Sequence, residues 1–285
     1  MLMTPNEVIA KVKNLPAVSQ AALKLVTLLD QSAVSNDDVV TVLKYDNVLT
    51  AKLLRACNSP YFGFEEKISS VEQAVLILGH QQILHMVLSL AFGSAMSTTL
   101  PGYVIEAKQL WSHSLTAAVA AEQLIKSGIQ MEIEAPVAFT AGLLHDIGKL
   151  AINQVLDEAA QAGIRECIAQ NHLPRNAAEK EILGTDHSEV GACLLESWHL
   201  PDDIVEAVLN HHRPITKPEP RLSAIIHVSD CLVHLIGTTP GLESYAIMAD
   251  PGVNQALGIT PEWLEGLMIS VHDSAGKVEH FMNLA

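Results

Sequence analysis

Apolar side chains in this chain recur three and four positions apart along almost its whole length, and no stretch alternates apolar with polar residues as a half-buried strand does. No other feature limits the fold as much, because a period near 3.6 buries its apolar stripe only by packing helix on helix. The composition agrees. Aromatics make up 4% of the 285 residues and apolar residues 49%, with Ala and Leu dominant, whereas a β-sandwich of this size would want more Val, Thr and Tyr. Helix starts are marked as well. "SNDDVVTVLKYD" offers Ser35 as N-cap with Asp38 three residues on. "SSVEQAVLILG" repeats the device with Ser70 and Gln73 before a stop at Gly79. Pro16 opens "PAVSQAALKLVTLLDQ", and Thr260 with Pro261 opens "TPEWLEGLMISV". The fold class these signals give is all-α.

Two softer zones divide the chain. "MSTTLPGYV", residues 96–104, is small and polar and fits a joint. "IGTTPGLESYAIMADPGVN", residues 236–254, is rich in Gly and Pro. The expected organisation is an N-terminal helical bundle over 1–100, a second helical domain over 101–240 and a C-terminal helical extension over 241–285. A further loop, "HHRPITKPEPRLS", holds three prolines and is not helical through its middle.

The net charge of −15 is uneven. Residues 1–110 carry 8 basic and 9 acidic groups, and residues 111–285 carry 9 and 23. An acidic second half argues against nucleic acid, whose binding rests on neutralising phosphates, and against anionic membrane surfaces. Cys57, Cys167, Cys193 and Cys231 stand singly, without CxxC spacing. The first residues lack the order of a signal peptide, and no apolar run reaches the length of a membrane span. A reducing cytoplasm is the expected compartment.

The chemistry concentrates in "FTAGLLHDIGKLAINQ", residues 139–154, where His145, Asp146 and Lys149 sit inside an apolar run. Such groups are costly to bury without partners. Of thirteen histidines only His80 and His85 precede residue 110. His113, His187, the pair His211 and His212, and Asp230 each lie in or beside a different apolar helix face. Facing helices that project His and carboxylate inward are a standard way to build a metal site in a helical core. On a helix, His145 and Asp146 point about 100° apart, so they flank one interior point rather than share a stripe. Asp146 could bridge two ions while His145 holds one. Mixed imidazole and carboxylate ligation suits iron, manganese, zinc or nickel better than magnesium or calcium. Lys149, three residues after Asp146 on the same side, could meet a phosphate oxygen. A plainer reading stands beside this one. Asp186 would be an ordinary N-cap, His211 and His212 would favour a helix C-terminus, and Asp230 would pair with His227 or His234. His80, His85, His172, His199, His272 and His280 match no ligand position and are read as structural or surface residues.

"HDIGK" after an apolar run resembles the HD superfamily of metal-dependent phosphohydrolases. "LPAVSQAALKLVTLL", "VLKYDNVLTAKLLRACNSPYFG" and "ISSVEQAVLILGHQQI" resemble the HDOD family, bacterial signalling relatives of HD domains. Asp46, Leu49, Leu54, Asn58, Ser59, Ala74 and Gly79 fit that pattern, and the likeness runs from about Leu15 to about Asp230. Many HDOD proteins have lost their metal ligands. Compared with the related HD-GYP phosphodiesterases, this chain keeps an upstream His, the HD pair, a later His, a double His and a final Asp. The resemblance thus implies metal ligation by His113, His145, Asp146, His187, His211, His212 and Asp230, with Lys149 in the position of the lysine after the HD pair.

Two departures matter. The loop after the double His has no GYP, and Gln109 stands where a trinuclear site would want a carboxylate. The resemblance therefore implies at most a dinuclear centre of divalent transition-metal ions, iron or manganese before zinc or nickel, and argues against cyclic-di-GMP. It implies a signal-transduction protein with metal-dependent phosphohydrolase activity. Asp146 and Lys149 would serve catalysis, and Lys149 and Arg213 would bind a phosphorylated small molecule or nucleotide. The alternative is a non-catalytic scaffold for a signalling protein partner, in which a metal is structural or absent.

Overall fold

The computed structural model describes residues 2–12, 19–28, 35–44, 46–60, 62–64, 66–129, 131–214, 217, 221–237 and 250–282. Among them the chain forms sixteen α-helices and one 3-10 turn, with no strand, as the periodicity requires. The first six helices are α1 (Pro5–Lys11), α2 (Gln20–Leu28), α3 (Asn36–Leu43), α4 (Asn47–Cys57), α5 (Val71–Leu78) and α6 (His80–Met96). After the 3-10 turn Pro101–Tyr103 come α7 (Gln109–Lys126), α8 (Ala135–Leu144), α9 (Gly148–Val155), α10 (Glu158–Asn171) and α11 (Arg175–Leu183). The chain continues through α12 (His187–Ser197), α13 (Asp202–Asn210), α14 (Leu222–Leu235), α15 (Pro251–Leu257) and α16 (Pro261–Met282).

Local chemistry sets most of these boundaries. Ser35 and Asp38 form the expected capping box at α3, and Thr4 and Glu7 form another at α1. Ser70 caps α5 by accepting from Gln73 N–H, but the Gln73 side chain reaches Ser69 N–H at 2.9 Å instead of the cap residue, so the box closes one position early. Thr260 accepts from Trp263 N–H at the start of α16. Pro16 lies outside the described residues, as do 238–249 and five residues of the loop between α13 and α14.

The apolar run 139–154 is not one helix. It splits into α8 and α9, with His145, Asp146 and Ile147 in the turn between them. The backbone tightens there: Ile147 N–H bonds Leu144 O, and Lys149 N–H bonds Asp146 O, each three residues back. The His145 ring contributes to the break, because its Nδ1 lies 2.7 Å from Gly142 O, the carbonyl that a continuing helix would offer to the next residue's N–H.

α7 packs along α8 and also meets α14 and α16; α12 packs on α9, α13 and α1. α6 joins the N-terminal helices α2, α4 and α5 to α7 and α8, while α1 packs on α9 and α12. Trp111, Tyr103 and Phe92 are the largest fully buried side chains, and burial of each such group contributes about 1.5–3 kcal/mol. The residue pattern at Asp46 and Asn58 has a structural role. Asp46 caps α4, accepting from Leu49 N–H at 2.9 Å and from the Ser19 hydroxyl. Asn58 clasps the next segment: its amide donates to Leu54 O and Ile68 O at 2.8 and 2.7 Å, and its oxygen accepts from Ile68 N–H.

Candidate metal centre

Two close helix approaches assemble the site. At Gly142 a Cβ would stand 2.8 Å from Ala118 Cα, so α8 and α7 touch backbone to backbone. His113, one turn before Ala117, is thereby set opposite His145. At Gly148 a Cβ would stand 2.0 Å from His187 O, so the start of α9 rests on the start of α12. Asp146 and His187 are brought together by that contact.

All seven expected ligand residues meet in the interior. His113 Nε2 lies 3.2 Å from His145 Nε2 and 3.1 Å from Asp230 Oδ1. Asp146 stands between two groups of imidazoles. Its Oδ2 is 3.4 Å from His145 Nε2 and 3.5 Å from His113 Nε2, and its Oδ1 is 3.5 Å from His187 Nε2. His187 Nε2 faces His212 Nε2 at 2.8 Å, and the His211 ring lies 3.9 Å from the His212 ring. Only His212 among the seven is less than fully buried. Lys149 Nζ, also buried, is 2.8 Å from Asp146 Oδ2, as the three-residue spacing suggested. Arg213 is exposed, and among the described residues its side chain makes no bond to the cluster.

The tautomers implied by the surroundings test whether these residues fit a cation. A carbonyl only accepts, so an imidazole nitrogen bonded to one carries the proton. His145 Nδ1 bonds Gly142 O, His211 Nδ1 bonds Val208 O at 2.7 Å, and His234 Nδ1 bonds Asp230 O at 2.8 Å. His187 Nδ1 lies 2.7 Å from the Glu179 carboxylate. In its neutral form each of these rings therefore keeps its lone pair on Nε2, and His145, His187 and His211 each contribute one atom to the groups of convergent donors. His211 Nε2 and His234 Nε2 are buried and make no hydrogen bond. The Nδ1 sides of His145, His187, His211 and His234 are thus fixed from behind, as a second layer fixes the ligands of a metal site. Overlapping sets of His187, His211 and His212, of His113, His145 and Asp146, and of His113, Asp230 and His234 each offer three donors within 4.8 Å of one another.

Charge points the same way. Burial works against an ionised Asp146, yet Lys149, His145 and His187 hold its carboxyl well below the usual range. Burial likewise opposes Asp230, and His234, His113 and His145 hold it well below that range. Burial lowers His145, but Asp146 and Asp230 outweigh it and push the imidazole up to about 10. Burial and the neighbouring imidazoles drive His211 down to about 3 and His212 well below the ordinary histidine value. The cluster thus retains positive charge at its carboxylates and unprotonated nitrogens around them.

Two members were not assigned from sequence. His234 lies one turn after Asp230, a spacing visible in the sequence but read there as a plain ion pair; its Nδ1 is 3.1 Å from Asp230 Oδ1. Glu179 carried no signal, because it reaches His187 across the break between α11 and α12. The plainer reading holds for Asp186, which caps α12 by accepting from Glu189 N–H. His85 is a packed core residue, its ring stacked on Phe139 at 4.0 Å.

The model of the HDOD domain matches residues 15–214. The chain belongs to the HDOD family. Its curated relatives include an uncharacterised protein of Treponema pallidum, 24% identical over 81% of this chain and 44% of its own length. Another is a ribonuclease Y of Lawsonia intracellularis, 27% identical over 61% of this chain and 27% of its own. This HDOD chain therefore spans less than half the length of these relatives. Among solved structures, an HDOD domain protein of unknown function from Geobacter sulfurreducens superposes with a TM-score of 0.74 at 24% identity, covering 99% of this chain and 97% of that one. A presumed phosphohydrolase from Shewanella amazonensis SB2B gives 0.70 at 25% identity over 97% of both chains. These likenesses establish an all-helical HDOD fold.

Proposed function

We propose that this HDOD protein is a signal-transduction protein with a dinuclear metal centre that hydrolyses phosphoesters. The carrying observation is the convergence of imidazole and carboxylate donor atoms around Asp146 and Asp230, with the Nδ1 atoms of His145, His187 and His211 committed to carbonyls or Glu179. His187, His211 and His212 would hold one ion and His113, His145 and Asp230 the other, with Asp146 between them. Iron or manganese suits this donor set first, and zinc or nickel next. Bound cations supply Lewis acidity toward a phosphoryl oxygen and lower the pKa of water in the site. The chain's own part is to orient the imidazoles, to exclude bulk water, and to offer Lys149. That ammonium would exchange its pair with Asp146 for a phosphoryl oxygen of a phosphorylated small molecule or nucleotide. Arg213, exposed after the double His, would meet the same substrate at the rim.

A second reading has its own support. Lys149 is already paired with Asp146 and 4% exposed, and the ligand residues are buried. A centre this closed suits a structural metal in a scaffold whose partner is another signalling protein. Val48, Phe64, Leu76 and Ile77, apolar and exposed in the expected 1–100 bundle, fit the docking side of such a scaffold. The acidic surface of 111–285 disfavours nucleic acid in either reading.

Elemental analysis of protein purified without added metal, followed by a phosphoester panel, separates the readings. Two metals per chain with turnover abolished in a His145→Ala/Asp146→Ala variant supports the enzyme. Tightly held metal without turnover supports the scaffold, and no metal under any loading condition refutes both metal-bearing versions.

A further inference from the structure

We infer that Glu179 is a positioning residue that fixes the tautomer of His187, and that Arg175 fixes Glu179 in turn. Glu179 is fully buried on α11, eight residues before the histidine it serves. One carboxylate oxygen, Oε2, accepts twice from His187: from the backbone N–H at 2.9 Å and from Nδ1 at 2.7 Å. The other, Oε1, accepts from Arg175 Nε at 3.1 Å. Arg175 is itself anchored, donating from Nη2 to Gly102 O at 2.8 Å with its guanidinium 4.1 Å from the Tyr103 ring centre. The relay runs from the 3-10 turn through Arg175 and Glu179 to His187.

Both oxygens of this carboxylate are engaged by donors, and that determines the chemistry. His187 Nε2 and His212 Nε2 face each other at 2.8 Å, so in the metal-free protein one of the two carries the proton between them. Glu179 accepts a hydrogen bond from Nδ1–H of neutral His187 and so assigns the shared proton to His212. His187 then accepts from His212 at Nε2, with Asp146 Oδ1 3.5 Å from the same atom, and that lone pair is the one a cation would use. A Gln at 179 cannot do this. Its oxygen turned to His187 would set its NH2 against Arg175 Nε–H, and its oxygen turned to Arg175 would set NH2 against His187 Nδ1 and N–H. The second arrangement moves the His187 proton to Nε2 and closes that ligand position.

This inference rests on the proposed metal centre for its consequence, but its first test does not. Long-range 15N–1H correlation spectra of the metal-free full chain read the tautomer of His187 directly. Burial lowers the His187 pKa but Glu179 outweighs it, so the spectra are read at a pH high enough to leave the ring neutral. Wild type is then expected to show protonated Nδ1 and unprotonated Nε2; the opposite tautomer in wild type overturns the inference with no variant needed. Glu179→Gln is expected to shift His187 toward the Nε2–H form and to weaken Mn2+ binding, titrated calorimetrically, by roughly 10–100-fold. In the double variant Arg175→Met/Glu179→Gln the amide oxygen is free to face His187, and the wild-type tautomer returns; a merely structural Glu179 would show no such rescue. If the tautomer shifts in Glu179→Gln while wild type binds no metal at all, positioning stands and the metal centre falls. An unchanged tautomer in Glu179→Gln overturns the positioning role whatever the metal does.

Discussion

His145 and His211 are placed by the same device: each ends a helix and donates its Nδ1 proton to the carbonyl three residues back, Gly142 O and Val208 O, both at 2.7 Å. Their rings then meet at 5.2 Å and 80°, from positions 66 apart in sequence, and each histidine belongs to one of the groups of convergent donors. A helix C-terminus has unsatisfied carbonyls to offer, and a histidine there satisfies one while its other nitrogen stays available. The centre is therefore built from helix ends as much as from helix faces, and its geometry depends on where those ends stop.

Gly148→Ala tests that dependence. The new methyl would overlap His187 O and Gly191 N, both backbone atoms that cannot swing aside. Stability should fall by about 3 kcal/mol, and bound metal should fall with it as α9 moves off α12. Urea unfolding and elemental analysis of the same preparation check both, and a variant of wild-type stability that keeps its metal would contradict the assembly described here.

Lys149→Met should destabilise the metal-free protein by about 3 kcal/mol, because it leaves Asp146 buried beside one cation fewer. Added Mn2+ should then raise the melting temperature more in the variant than in wild type, since the ion replaces the lost charge. Equal increments in the two proteins would show that Lys149 and the ion do not share Asp146.

Asn58→Ala should behave differently. It removes two hydrogen bonds that tie the end of α4 to Ile68, before α5, and one back to Leu54 in α4, for a loss of about 2–3 kcal/mol. Metal content per folded chain should not change, because Asn58 belongs to the family pattern through the fold and not through the centre. A parallel loss of metal would place Asn58 in the wrong category.

His85 gives a pH signature away from the centre. Burial lowers its pKa below the ordinary value near 6.5, with Glu122 opposing and Lys126 reinforcing the shift. The unfolded chain therefore takes up a proton below about pH 6.5 that the folded chain resists, so stability falls as pH drops from there toward the lower folded value. His85→Phe keeps the stack on Phe139 and removes the titration. The difference in urea midpoint between wild type and variant should change between pH 7.5 and 5.5 in the variant's favour; a constant difference would mean His85 is not buried neutral.

Much of this protein was readable without coordinates. Caps at Ser35, Ser70 and Thr260 and the all-helical class follow from interactions spanning three or four residues, which a sequence displays directly. So does the identity of the donors: an imidazole or carboxylate inside an apolar run must find a partner, whatever the fold. Other features depended on which distant backbones touch. The break of the run at His145, the seat of Gly148 on His187, the membership of His234 and the support from Glu179 each join residues on different elements or choose between partners three and four positions away on one helix. Residue type and spacing determined what could bind; only the close packing of α7, α8, α9 and α12 decided which nitrogens face the carboxylates, because lone-pair direction is set by whatever holds the far side of each ring.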